Sequence, residues 1–179
     1  VDALAVQGQE AGGHYGTFTP DVLPEPTPLA ELLGRVGAAV RMPLLAAGGV
    51  GSAADVKSLL GAGAAGVAVG TALLLTDESG ASATYKTALR SGGDRETVVT
   101  RAFSGRPARA LRGSFTDRFT AVAPSGYPAI HHLTSPLRRA AAAAGDGERI
   151  NVWAGTGHAQ ALAYEGSATA VLTSLASEA

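Results

Sequence analysis

Three short apolar runs, each leading into a glycine turn, constrain this chain more than any other feature. They occupy residues 3–6, 43–47 and 66–69 and carry no charged side chain. Continuous runs of this length are expected of parallel strands buried on both faces. Residues 29–40 between the first two runs have apolar positions at helical spacing, with Pro28 near the first turn. Residues 52–60 read as a second helix, with Ser52 as its N-cap and Gly61 and Gly63 closing it. The stretch from Gly49 to Gly70 fits one right-handed βαβ crossover. Such repeats predict a β/α barrel or a doubly wound parallel sheet.

The chain has 179 residues, enough for one ordinary domain with a real core. Its net charge of −1 points to neither a nucleic-acid nor a membrane-surface partner. No cysteine is present, which excludes disulfides, thiolate metal ligands and cysteine nucleophiles. No signal peptide and no bilayer-spanning apolar run is found, so a soluble cytoplasmic protein is expected. The first strand begins almost at once after Val1, as in the C-terminal part of something longer. Three strands cannot close a barrel of eight, which needs roughly 250 residues. A barrel reading therefore leaves about five strand–helix units before Val1.

After Leu75 the pattern changes. Residues 85–90, 137–144 and 167–175 read as helices. Residues 95–119 are Arg-rich and punctuated by glycine, and residues 120–136 hold many turn formers. The expected organisation is a barrel part over residues 1–81, a mainly helical cap or insertion over 82–150, and a closing segment over 151–179.

Chemistry concentrates where the first run ends, in Val6-Gln7-Gly8-Gln9-Glu10-Ala11-Gly12-Gly13-His14. An imidazole just past a strand end stands where parallel α/β folds build active sites, and it can move protons near neutral pH. Gln7 is polar at the end of an apolar strand and needs a partner, either ligand or backbone. Glu10 reads as structural. A second constellation is the glycine turn Gly48-Gly49 with Gly70-Thr71 one crossover later. Backbone N–H groups at such turns can hold a phosphate, to which Thr71 adds a hydroxyl. GxGxxG with a downstream acid and GxxxxGK[ST] are both missing, which disfavours a Rossmann site and a P-loop. His131-His132 has no carboxylate at ligand spacing and reads as a solvated loop, so no metal is expected. Arg101, Arg106, Arg109 and Arg112 read as surface or cap packing rather than an anion clamp.

Together these segments resemble the nitronate monooxygenase family, formerly 2-nitropropane dioxygenases. The matching stretches are residues 6–14, 43–52, 66–76 with Glu78-Ser79, and 97–112 with Ser-Gly-Arg-Pro-Ala-Arg. Val152-Trp153-Ala154-Gly155 resembles the family's closing motif, which usually continues with Gln where this chain has Thr156. The resemblance implies the C-terminal part of a (β/α)8 barrel, about strands six to eight, with a helical cap and without the N-terminal half. It implies FMN as cofactor. Gln7 and Gly12 would lie near the isoalloxazine, and Gly48, Gly49, Ala68, Val69, Gly70 and Thr71 would hold the phosphate. His14 would be the catalytic base.

The activity implied is oxidation of alkyl nitronates or nitroalkanes by O₂ to a carbonyl compound and nitrite. An FMN-dependent, NAD(P)H-using enoyl-thioester reductase shares the Glu-Ala-Gly-Gly-His run and is the alternative, along with a quinone reductase. A third reading is a non-catalytic fragment, inactive alone, whose exposed sheet edge invites pairing.

Overall fold

The computed structural model describes residues 1–23 and 25–179. A parallel sheet is formed by β1 (Leu4–Gln7), β3 (Leu44–Ala47) and β4 (Gly66–Ala68), in that spatial order. Its register pairs Val6 with Ala46 and Ala46 with Val67. Alternation along the strands sends Val6, Leu44 and Ala46 to one face, where they are buried. On that face lie α1 (Leu29–Ala39), α2 (Ala53–Gly61) and α7 (Ala168–Leu175), contributing Leu29, Leu33, Val56, Leu59, Val171 and Leu175 to one core.

The expectation of strands buried on both faces is corrected here. Ala5, Gln7, Leu45 and Ala68 point to the opposite face and are exposed. The apolar runs are continuous because that face carries mostly small side chains, not because helices cover it. Small side chains leave a hollow, and the hollow becomes the candidate site.

The helix signals act locally as the sequence suggests. Ser52 caps α2 by accepting from the Asp55 N–H at 3.2 Å, while the Asp55 carboxylate accepts from the Ser52 N–H at 2.9 Å. This reciprocal capping box holds the turn after β3 against the helix start. Pro28 precedes α1 without offering a side-chain cap. Its place is taken from afar by Glu10, whose Oε1 accepts from the Leu29 N–H at 3.0 Å. Glu10 thus ties the first loop to α1, a structural role.

A second, antiparallel sheet was not foreseen. It consists of β2 (Gly13–His14), β6 (Ala108–Leu111) and β5 (Thr97–Thr100), in that order. The β-branched run Thr97-Val98-Val99-Thr100 is the sequence signal that could have revealed it. Residues 82–150 therefore hold this hairpin as well as α3 (Ala83–Ser91), α4 (Ser114–Phe119) and α5 (Ala129–Ala143). Helix α5 starts well before the turn-rich segment was expected to end, and it carries Pro136 in its interior. His131 and His132 consequently lie on a helix and not in a solvated loop. The remaining helix, α6 (His158–Ala161), packs against a 3₁₀ turn over Thr71–Leu73. No helix among the described residues is long and apolar enough to cross a membrane.

Candidate functional site

The open face of the parallel sheet forms the floor of a cavity of about 540 Å³. Gln7, Gly12, Gly48, Gly49, Ala68, Val69, Gly70 and Thr71 all stand on its wall. They come from the ends of β1, β3 and β4 and from the turns that follow, which is why parallel strands bring distant residues together. Tyr85, Trp153, Gly155 and Gly157 line it too. Sequence reasoning had no means of placing Tyr85 there, because nothing in its local pattern marks a residue that reaches across from α3.

The glycines of this wall serve different ends. Gly48 has φ +124°, and a Cβ on it would come within 2.9 Å of the Ala11 backbone nitrogen. Its glycine is demanded by backbone conformation and by the first loop packing on top of it. Gly12 is crowded by Ala154 and Gly155 in the same way, with 2.8 Å from its virtual Cβ to each. Gly70 differs. Its φ is −119°, and a Cβ there would meet nothing within 4 Å. No neighbouring atom requires glycine at position 70, which borders the cavity. Gly70 thus presents bare backbone at the cavity's edge.

Thr71 accepts at Oγ1 from the Gly155 N–H at 3.0 Å. With that acceptor position filled by the closing segment, its hydroxyl hydrogen is available to an anionic group. Tyr85 donates its O–H to the Trp153 carbonyl, and burial pushes its phenol well above the ordinary range. It therefore stays protonated and keeps donating. Thr156, the departure from the family motif, is exposed and donates its N–H to the Glu10 carbonyl at 3.0 Å.

His14 is not among the residues that line the cavity, but it packs beside Trp153, which is. Gln7 Nε2 donates to the His14 carbonyl at 3.3 Å. The Trp153 ring, which borders the cavity, lies 5.3 Å from the imidazole between centroids. Tyr127 packs edge-on against the same imidazole at 5.5 Å. His14 is paired through β2 with Ala108 of β6, so the hairpin sets its backbone. Its Nε2 lies 2.7 Å from Oγ of Ser104, which is 0% exposed. Nδ1 has no hydrogen-bond partner among the described residues and is not sealed inside the core.

Burial, followed by the charges of Arg106, His131 and Arg138, holds the His14 pKa below 6.5. No carboxylate contributes. An imidazole in such surroundings is neutral at physiological pH and can accept a proton. The Arg set is not loose surface packing throughout. Arg109 donates to the Gln9 carbonyl at 2.7 Å, Arg106 to the Tyr15 carbonyl at 2.9 Å, and Arg101 to the Asp21 carbonyl at 2.9 Å. All three clamp the segment bearing His14, whereas Arg112 pairs with Asp117 and Glu96 at the surface.

A family model for nitronate monooxygenase matches residues 1–178. The chain belongs to the nitronate monooxygenase family. Its relatives in this family include a probable nitronate monooxygenase of Staphylococcus aureus (strain Newman), 36% identical over 158 residues, which cover 87% of this chain and 44% of that protein. Another, from Staphylococcus saprophyticus, is 35% identical over 160 residues, with 87% and 45% covered. Among solved structures, a nitroalkane oxidase from Streptomyces ansochromogenes is 43% identical with a TM-score of 0.89, covering 99% of this chain and 51% of that one. FabK from Thermotoga maritima is 26% identical with a TM-score of 0.78, covering 99% and 54%. The chain thus spans about half the length of the family members and neighbours it matches. Its parallel sheet with helices on one face is part of a β/α barrel.

Proposed function

We propose that this chain carries the histidine-bearing part of an FMN-dependent oxidation of alkyl nitronates and nitroalkanes by O₂. The observation that carries the reading is the pairing of a bare-walled cavity with a neutral histidine packed beside Trp153, which lines that cavity. The nitroalkane oxidase named above, similar over nearly the whole chain, supports the same chemistry.

The residues present fit an FMN. Gly70 leaves backbone open to close approach, and Thr71 has a hydroxyl hydrogen to offer a phosphate. Gln7 and Gly12 lie on the wall nearest His14 and would border the ring system. When bound, FMN supplies the electron chemistry with O₂, and the protein positions and tunes it.

His14 acts as general base toward neutral nitroalkanes. Ser104 has one hydroxyl hydrogen, directed at the Arg106 carbonyl at 3.2 Å. Its oxygen then accepts from Nε2–H of His14, which leaves the lone pair on Nδ1. Nδ1 takes the proton from the carbon bearing the nitro group, and the electron pair moves onto the nitro oxygens. Nitronates offered directly need no such step. Trp153 and Tyr127 flank the imidazole and fix its ring orientation.

The test is the absorbance spectrum of the purified full-length protein, repeated under anaerobic nitronate and under NADH. Flavin bands near 370 and 450 nm (rough values for any oxidised flavin) that bleach with nitronate support the proposal. Bleaching by NADH instead moves the chain to the reductase alternative. A folded protein without flavin bands contradicts both.

A further inference from the structure

Eight arginines of this chain form no ion pair among the described residues, and two of them, Arg106 and Arg138, hold segments that surround His14. Arg101, Arg106, Arg109 and Arg138 form no ion pair, while Arg90, Arg95, Arg112 and Arg149 each pair with an acid elsewhere. Arg106 reaches the Tyr15 carbonyl, the residue after His14. Arg138, on α5, donates to the His131 carbonyl at 2.8 Å and to Asn151 Oδ1 at 3.1 Å. Its Nη2 lies 3.3 Å from His131 Nδ1. His131 is in ring contact with Tyr127 at 6.2 Å, and Tyr127 with His14 at 5.5 Å. Every polar partner of Arg138 and of the Arg106 guanidinium is neutral. Their charge is fixed in place but not cancelled.

We propose that Arg138, together with Arg106, makes the His14 site selective for the anionic nitronate over the neutral nitroalkane. This rests on the function proposed above. A nitronate brings a full negative charge to a half-buried imidazole that already lies in the field of these two uncancelled cations, although neither lines the cavity. A nitroalkane brings none. When His14 removes its proton, positive and negative charge appear together, so the reacting pair stays neutral and the arginine field largely cancels across it. The chain as a whole has a net charge of −1, so the preference is a property of this site and not of bulk charge.

Nitrate is the probe: a planar, inert anion with the O–N–O geometry of a nitronate. Its binding to the flavin-loaded full-length enzyme is followed on the His14 imidazole NMR signals. Arg138→Met should weaken nitrate about ten-fold and lower the ratio of nitronate to nitroalkane kcat/KM by a similar factor. Arg138→Lys keeps the charge and should retain most of the nitrate affinity. Unchanged nitrate affinity in Arg138→Met overturns the proposal. Should that variant not fold, a salt titration of the unmodified enzyme decides. Nitrate affinity must fall steeply with ionic strength, and a salt-independent affinity overturns the proposal. An enzyme with bound flavin that oxidises no nitronate sinks the parent reading alone, and the nitrate binding still decides the role of Arg138.

Discussion

His14 Nε2 and Ser104 Oγ are 2.7 Å apart although ninety positions separate them in sequence. The contact exists because β2 and β6 pair, bringing the Ser-Gly-Arg turn before β6 under the imidazole. Ser104 is also held by Arg106, whose carbonyl accepts from its hydroxyl. The serine therefore sets which ring nitrogen carries the proton.

Ser104→Ala should leave the protein folded and free the imidazole to change tautomer. The expected loss is roughly ten-fold in nitroalkane kcat/KM, the worth of about one hydrogen bond. Nitronate turnover should fall far less. Steady-state kinetics on both substrates checks this, and Ser104→Thr, which keeps the hydroxyl, should recover part of the loss.

The pH dependence follows from the lowered pKa of His14. Its base form is the neutral one, present above the folded pKa, which lies below 6.5. Nitroalkane kcat/KM should thus level off above this limb and fall in acidic solution with a midpoint below pH 6.5. The same sign holds for stability. A depressed histidine pKa contributes nothing adverse above pH 6.5 and costs stability as the pH falls through the folded value. A kinetic midpoint above 6.5 would contradict the environment described for His14.

Two glycines of the cavity wall should respond oppositely. Gly70→Val meets no neighbouring atom and keeps a negative φ, so melting should move less than in Gly48→Ala. Flavin binding should nevertheless weaken at least about ten-fold, because the side chain fills the approach. Gly48→Ala should instead destabilise by about 1–3 kcal/mol, since φ is +124° and Ala11 stands in the way. Thermal melts and flavin titrations on both variants separate the two effects.

Tyr85→Phe removes the only side-chain donor to the Trp153 carbonyl among the described residues. The stability loss should be about 1–3 kcal/mol for leaving a buried acceptor unpaired. Since Trp153 packs on His14, the His14 imidazole signals should shift as well. Denaturant unfolding and NMR test the two halves of this expectation.

What could be read from the sequence was what local pattern encodes. The three parallel strands announce themselves as uncharged runs, and Ser52 with Asp55 writes its cap within four residues. The residues flanking the glycine turns follow from strand ends alone, so those that meet on the cavity wall were nameable in advance. The hairpin was missed because Arg109 interrupts an otherwise apolar strand, its guanidinium reaching back to Gln9. The long α5 was missed because Pro136 and the turn formers before it outweighed a helix held by tertiary contacts such as Thr134 with Phe103. Ser104, Tyr85 and Arg138 act on His14 or the cavity across long sequence separations, and no periodicity signals such a meeting.

The most direct test of the central claim is His14→Asn in the flavin-loaded full-length enzyme, with kcat/KM measured on a neutral nitroalkane and on its nitronate. The account predicts a loss of roughly 10²–10⁴-fold on the nitroalkane, the range of general-base catalysis, and a small change on the nitronate. Equal losses on the two substrates would contradict a base role for His14.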